Sequence, residues 1–208
     1  HSISYVQTYH ACRPQEMESY YQKGLRPLNP SEIQSLFSRI FCNDKQDFSM
    51  TDVNSAISQV SIELRKNLIY VALDDRHLID HCGHYLIYGS EYLNCLSVHL
   101  PRGGEHTRDV LKTFGRATIF VCKVPRCYVQ DWKDLASRML AEHAYNLTHP
   151  NTDVNNFDFT ISINDVIAPD QILSHYHPEK IPDPYKARRI WNDRLHKYEP
   201  CSLGTRHT

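Results

Sequence analysis

Short apolar runs alternate along this chain with segments of helical periodicity, and this alternation restricts its fold more than any other feature. The runs LIYVAL, residues 68–73, and ATIFVCKV, residues 117–124, are rich in β-branched and aromatic side chains. Runs of this length and composition are typical of buried strands. None of the apolar runs is long enough to span a bilayer, so we expect one large domain with no membrane partner.

The chain opens with an alternating apolar and polar stretch, residues 3–9, which predicts a strand that ends at His10. A short helix follows and ends at Gly24. Two amphipathic helices come next, one after Asn29 and one after Thr51, and we expect them to form a covering layer. A polar histidine at the end of a buried strand adds little to apolar packing, so His10 is a candidate for contact with a ligand.

The rest of the chain continues this mixture of elements. Residues 76–93 predict a helix that is broken at one of its two glycines, and NCLSVHL, residues 94–100, predicts a strand. Residues 131–145 predict a helix, and FTISINDVI, residues 159–167, predicts a late strand. The order of these elements predicts the α+β class, with a split, mostly antiparallel β-sheet core and covering helices.

Charge and cysteine usage narrow the classes of function. Lys and Arg together number 23 and Asp and Glu 24, so the chain has no excess charge that would attract polyanions in general. The seven cysteines form no CxxC pair, and scattered thiols of this kind are typical of a reducing compartment. We therefore expect a cytoplasmic protein with free thiols.

The composition changes at Ser174, where basic side chains, histidines and prolines become frequent. We expect residues 1–173 to form the domain and residues 174–208 to form a basic C-terminal appendage with a short helix over residues 185–196. Such an appendage either packs on its own domain as an arm or holds a partner. Nucleic acid is a partner class that its charge would favour.

Several segments, taken in order, resemble the His-Tyr-acid branch of the ADP-ribosyltransferase superfamily, which includes diphtheria toxin and the poly(ADP-ribose) polymerases. YHACR, residues 9–13, is similar to the histidine-bearing opening of that branch, and QKGLRP, residues 22–27, to the Gly-Leu that follows it. LIYVAL and the tyrosine-rich helix behind it resemble the second motif, and GRATIFVCKVP, residues 115–125, looks like the next strand. The resemblance covers residues 3–173.

This resemblance implies an ADP-ribosyltransferase-like fold and an enzyme that transfers ADP-ribose from NAD+ to an acceptor and releases nicotinamide. It assigns a ribose contact to the His10 side chain and a carboxamide contact to the Ala11 backbone. Tyr70 would form one wall of a nicotinamide clamp, and Tyr85 or Tyr88 the other. Aromatic faces suit a cationic ring through stacking and cation–π attraction.

The branch also places an acidic residue at the entrance of the late strand, where it stabilises positive charge that develops on the ribose. This sequence has no glutamate there, so Asp158 is the catalytic candidate, with Asp153 and Thr160 as alternatives. Cys12 adjoins the carboxamide contact and joins the NAD+-binding set. Small free-standing members of the superfamily are often toxins or defence factors, and the acceptor stays open among protein, nucleic acid and small molecule.

Two other classes of function are open. His77, His81 and His84 recur at positions i, i+4 and i+7, and three imidazoles on one helix face could bind zinc with an open fourth position. Gly83 within the run and the lack of an HExxH glutamate count against a hydrolase. The third class is a non-catalytic module that binds NAD+ or holds a partner through the basic segment.

Overall fold

A computed structural model describes residues 4–44, 46–61, 67–101, 103–129, 131–149, 159–187 and 189–200. The strands are β1 (Tyr5–Cys12), β2 (Cys42–Asn43), β3 (Gln46–Asp47), β4 (Ile69–Ala72), β5 (Thr118–Pro125), β6 (Thr160–Ile163), β7 (Ile172–Tyr176), β8 (Lys180–Pro182), β9 (Arg189–Asn192) and β10 (Lys197–Pro200). The α-helices are α1 (Glu18–Lys23), α2 (Pro30–Phe41), α3 (Met50–Gln59), α4 (Asp75–Asp80), α5 (His84–Ile87), α6 (Glu91–Val98), α7 (Glu105–Leu111) and α8 (Trp132–Thr148).

The main sheet has five strands in the order β6-β4-β1-β5-β7, and each neighbouring pair is antiparallel. This confirms the α+β class and the antiparallel sheet. Strand β1 pairs with β5 along its whole length, residues 5–12. Its pairing with β4 consists, among the described residues, of Tyr9 opposite Ala72. The sheet is therefore continuous on one side of β1 and interrupted on the other.

Two hydrophobic clusters lie on opposite faces of this sheet. Ile119 and Phe120 are neighbours on β5, yet the first belongs to one cluster and the second to the other, because successive side chains of a strand alternate between faces. Helices α2 to α7 contribute to the cluster that contains Ile119. Helices α1 and α8 pack on the face that contains Phe120. Both faces of the central strands are consequently covered.

The prediction of a strand over residues 94–100 was wrong, because most of this segment lies in helix α6. The Ser90 hydroxyl caps the helix by accepting a hydrogen bond from the Leu93 backbone N–H. Leu93 and Leu96, three residues apart, pack into the core from one helix face. A short apolar run is compatible with either a buried strand or a buried helix, so local pattern alone did not separate the two.

The helix predicted over residues 76–93 is broken at both of its glycines, Gly83 and Gly89, rather than at one. Helix α4 ends at Asp80 and α5 begins at His84. A Cβ atom at Gly83 would lie 2.3 Å from the carbonyl oxygen of Pro182 on β8. Glycine therefore permits the close approach of this turn to the small C-terminal sheet.

The C-terminal segment contributes strands to the main sheet and to a second sheet, and side chains to the core. The boundary predicted after residue 173 falls inside β7, the edge strand of the main sheet. Strands β8, β9 and β10 form a second antiparallel sheet that places Ile181 and Trp191 in the core. Residues 185–196 contain strand β9 and a turn rather than the predicted helix. Basic and proline-rich composition did not reveal these tertiary contacts.

Candidate functional site

His10 connects β1 to β4 at the point where their backbone pairing is interrupted. The residue follows Tyr9, which stands opposite Ala72, and its Nδ1 atom lies 2.8 Å from the Tyr70 carbonyl oxygen. A carbonyl oxygen only accepts hydrogen bonds, so Nδ1 carries the hydrogen and donates it. The imidazole thereby takes the place of a backbone contact between the two strands.

The protonation state of His10 follows from this geometry and from burial. Burial lowers the pKa of His10 below its ordinary value of 6.5, while the hydrogen bond to the Tyr70 carbonyl acts in the opposite direction. At neutral pH the ring is therefore uncharged, with its hydrogen on Nδ1. The Nε2 atom, on the far side of the ring from the carbonyl, carries a lone pair and can accept a hydrogen bond from a hydroxyl group.

Tyr70 contacts His10 through its backbone carbonyl, and its ring projects from the sheet face opposite to the one that His10 shares with Phe120. Its side chain is 44% exposed, whereas those of Ile69 and Val71 on either side are buried. This alternation places the Tyr70 ring on the sheet face opposite to that of its two neighbours. The ring therefore presents aromatic surface to solvent, while its backbone carbonyl holds the histidine.

Ala11 and Cys12 complete β1 opposite Ile119 and Thr118 of β5. Ala11 is buried in the cluster under helix α5, which packs on β1. Cys12 faces α1 instead, and burial raises the pKa of its thiol, while a hydrogen bond with Tyr20 acts in the opposite direction. Cys12 is thus a neutral thiol that packs beside the histidine.

The two tyrosines proposed for the second wall have different surroundings. Tyr88 is 1% exposed, and its hydroxyl donates a hydrogen bond to Asp183 Oδ2 at 2.6 Å. The Tyr198 hydroxyl donates to the same oxygen at 2.5 Å. The Tyr88 ring is therefore enclosed in the core and offers no face to a ligand. Tyr85 is half-buried on α5, and its ring centroid lies 4.1 Å from that of His84.

The third predicted position lies largely beyond the described structure. Asp158 and Asp153 fall outside the described residues. Thr160, the first residue of β6, is exposed and stands opposite Ala72 of β4. Strand β6 pairs with β4, and β4 carries Tyr70. The start of β6 therefore lies on the strand next to the tyrosine.

A row of aromatic side chains beside His10 was missed from the sequence. Phe120 stands opposite His10 in the register of β1 and β5, so the two side chains share a face. The Tyr20 ring stacks on Phe120 with ring centroids 4.9 Å apart, and Tyr21 approaches its edge at 6.2 Å. Helix α1 therefore covers the sheet face next to the histidine. The adjacent tyrosines of α1 were the available signal.

Arg13 is a second residue whose role the sequence did not reveal. Its buried guanidinium donates hydrogen bonds to the backbone carbonyls of Leu86, Lys112 and Phe114, at 2.8, 2.5 and 2.9 Å. It also pairs with Asp193 at 2.7 Å. These contacts join the end of β1 to α5, to the loop before β5 and to the C-terminal sheet. They fix the end of β1, which includes the Ala11 backbone that is predicted to contact the carboxamide.

The three histidines of the zinc alternative do not share one helix face. His77 lies in α4 with its ring 5.1 Å from that of His81, the residue that ends this helix. His84 begins α5 and its ring faces Tyr85 and Tyr185. Across the described parts of the chain, no group of three His, Cys, Asp or Glu side chains is arranged to hold a metal ion.

An open cleft lies away from these residues. It has a volume of about 410 Å³ and separates α8 from the segment that follows β4. Asp74, Arg76, Glu142 and Phe159 are among its lining residues, and Arg76 pairs with both carboxylates. One arginine thus serves two carboxylates in this cleft, and none of the described site residues predicted above lines it.

No family model, curated protein or solved structure matches the chain. Within the described part of the chain, no helix combines the length and the hydropathy that crossing a bilayer requires.

Proposed function

We propose that this protein binds NAD+ and transfers its ADP-ribose group to an acceptor, with release of nicotinamide. The observation that carries the proposal is the contact between His10 and Tyr70. The Tyr70 carbonyl fixes the orientation of the imidazole and leaves its Nε2 atom as an acceptor. The exposed Tyr70 ring on the adjoining strand is aromatic surface of the kind that a nicotinamide ring stacks on.

The chemistry of the transfer uses these groups in distinct ways. The bond that breaks joins C1′ of the ribose to the nicotinamide nitrogen, and its electron pair leaves with nicotinamide, which becomes neutral. Positive charge then develops on the ribose. The His10 Nε2 atom accepts a hydrogen bond from a ribose hydroxyl at the interruption between β1 and β4, while Tyr70 and Tyr85, which lie toward the opposite sheet face, form the walls around the cationic ring.

Two further groups complete the proposed site. The pairing of β1 with β4 is interrupted after Tyr9, which favours a contact between the nicotinamide carboxamide and the Ala11 backbone. Asp158 is the proposed carboxylate that acts on the developing charge, since it lies two positions before β6, the strand next to β4. The acceptor is a protein side chain, a nucleic acid or a small molecule.

The test is incubation of the purified protein with NAD+ labelled on its adenylate phosphate, with and without cell lysate. We expect nicotinamide release, transfer of label to an acceptor, and a higher melting temperature with NAD+. In the control variant His10→Asn, the side-chain amide can still donate to the Tyr70 carbonyl, but the Nε2 acceptor is lost. We expect this variant to fold and to consume NAD+ at least tenfold more slowly, about 1.4 kcal/mol of transition-state stabilisation.

Two results would replace this proposal. If NAD+ raises the melting temperature but no nicotinamide is released under any condition, the protein is a non-catalytic NAD+-binding module. If NAD+ leaves the melting curve unchanged and the His10→Asn variant behaves as the parent, the His10 and Tyr70 contact is structural only.

A further inference from the structure

A pair of histidines lies at the edge of the main sheet, next to the aromatic row beside His10 and separate from the groups assigned to NAD+. His175 is on edge strand β7, opposite Phe120 of β5, and His177 directly follows this strand. Residues two apart on a strand project to the same face. The two rings have centroids 5.1 Å apart and planes inclined at 63°. The sheet therefore presents two adjacent imidazoles on one face.

Both rings are held through their Nδ1 atoms. The His177 Nδ1 atom lies 3.0 Å from the Ala117 carbonyl oxygen and 3.2 Å from the Thr118 hydroxyl. The His175 Nδ1 atom lies 2.7 Å from the Tyr21 hydroxyl, which can donate or accept. Because Nδ1 and Nε2 are on opposite sides of an imidazole, both Nε2 atoms are directed away from these contacts.

We propose that the Nε2 atoms of His175 and His177 bind one zinc-class transition-metal ion. Metal-binding histidines commonly use their second ring nitrogen in a hydrogen bond to a carbonyl or similar group, which fixes the tautomer and the ring orientation. Two imidazoles bound through Nε2 to one tetrahedral zinc, at about 2.0 to 2.1 Å, have ring centroids roughly 5 Å apart. The observed separation of 5.1 Å agrees with that arrangement.

The tautomer of His177 favours a cation over an anion. Its Nδ1 atom donates to the Ala117 carbonyl, so the neutral ring presents a lone pair at Nε2, which attracts a metal ion and repels a phosphate oxygen. The positive charge of Arg116 opposes the binding of a cation, because it acts electrostatically on His175. The Arg116 side chain is exposed, however, and solvent weakens its effect. Arg116 thus reduces metal affinity without excluding the metal.

The site is open rather than fully enclosed by protein ligands. No third His, Cys, Asp or Glu completes a metal-binding group within the described residues. Water or an external ligand would therefore occupy the remaining positions of the metal, as in zinc sites that keep an open position. We expect one ion per chain and an affinity below that of a structural zinc site.

The test is titration of chelator-treated protein with zinc chloride by calorimetry, with copper(II) electron paramagnetic resonance to count the nitrogen ligands. We expect one equivalent of zinc and two imidazole ligands. His175→Gln and His177→Gln should each weaken zinc binding at least tenfold. His177 also supports the Ala117 carbonyl, so melting curves without metal check the folding of both variants, and the more exposed His175 provides the variant that is expected to fold.

His77→Gln is the matched control, because His77 and His81 form another pair with ring centroids 5.1 Å apart. We expect it to bind zinc as the parent does, and Arg116→Gln to bind zinc more tightly. The proposal is overturned if the parent binds no zinc or if His77→Gln abolishes binding. It is also overturned if inorganic phosphate stabilises the parent while Arg116→Gln removes that effect, because the site then binds anions.

Discussion

The Tyr70 backbone carbonyl contacts His10, whereas the Tyr70 ring is the proposed stacking surface. Substitutions of the side chain therefore test the ring and leave the carbonyl in place. Tyr70→Ala keeps the carbonyl that holds His10 and removes only the exposed ring. We expect it to weaken NAD+ binding by about 1 to 3 kcal/mol through lost stacking, with little change in melting temperature. Tyr70→Phe should retain most of the affinity. Binding titrations measure both variants, and equal losses would indicate a role for the hydroxyl instead of the ring face.

The proposed contact of His10 with NAD+ depends on pH in a defined direction. The pKa of His10 is lowered by burial, so Nε2 stays an acceptor at pH 7 and becomes a donor only when the pH falls below that lowered value. We expect NAD+ affinity to be constant near neutrality and to decrease as the pH falls through that lowered pKa, with the decrease absent in His10→Asn. Titrations at a series of pH values test this. A loss of affinity toward high pH would contradict the assignment.

The burial of His10 also makes the free energy of unfolding depend on pH, and this free energy too decreases as the pH falls. An unfolded histidine takes up a proton near pH 6.5, whereas folded His10 does so only at lower pH. The unfolded chain therefore binds more protons between these two values, and stability falls as the pH falls through that window. Burial also lowers the pKa of His84, which adds to the decrease. Denaturant titrations of the parent and of His10→Asn at two pH values measure how much of the decrease in unfolding free energy is due to His10.

At the scale of elements, β1 is anchored at its C-terminal end by Arg13. The side chains of Arg13 and Asp193 are 2% and 4% exposed, so their ion pair is fully buried. Arg13→Gln leaves Asp193 without its cation and three carbonyls without their donor, and we expect a loss of about 3 to 5 kcal/mol in unfolding free energy. Arg26→Gln breaks a pair with 49% and 52% exposed side chains and should cost less than about 1 kcal/mol. Chemical denaturation compares them, and equal effects would show that the buried network is not an anchor.

At the scale of the whole molecule, the C-terminal segment decides whether the domain folds. Deletion of residues 174–208 cuts β7 and removes Trp191 from the core and Asp193 from Arg13. We expect this variant to lose cooperative unfolding, measured by circular dichroism. A chain that ends at Pro200 keeps all described elements and serves as the control. Cooperative melting of the shorter variant near the parent temperature would restore the appendage interpretation.

Local signals in the sequence determined most of the elements. Asn29 caps α2 through its side chain, and Ser49 and Asp52 form a capping box at α3, both within the first turn of the helix. Strands β4 and β5 were evident from their β-branched and aromatic residues, which favour strands in largely apolar surroundings. The order of motifs also placed His10 and Tyr70 in one candidate site.

Only the tertiary structure decided which of the predicted tyrosines is accessible and where the C-terminal segment packs. Tyr88 and Asp183, whose hydrogen bond buries the tyrosine, are 95 positions apart in the chain. Arg13 and Asp193 are 180 positions apart. Capping and periodicity report interactions within a few residues, whereas burial depends on which distant segments meet on a sheet face. The sequence therefore determined the elements and the candidate histidine, and long-range packing determined the surroundings of each side chain.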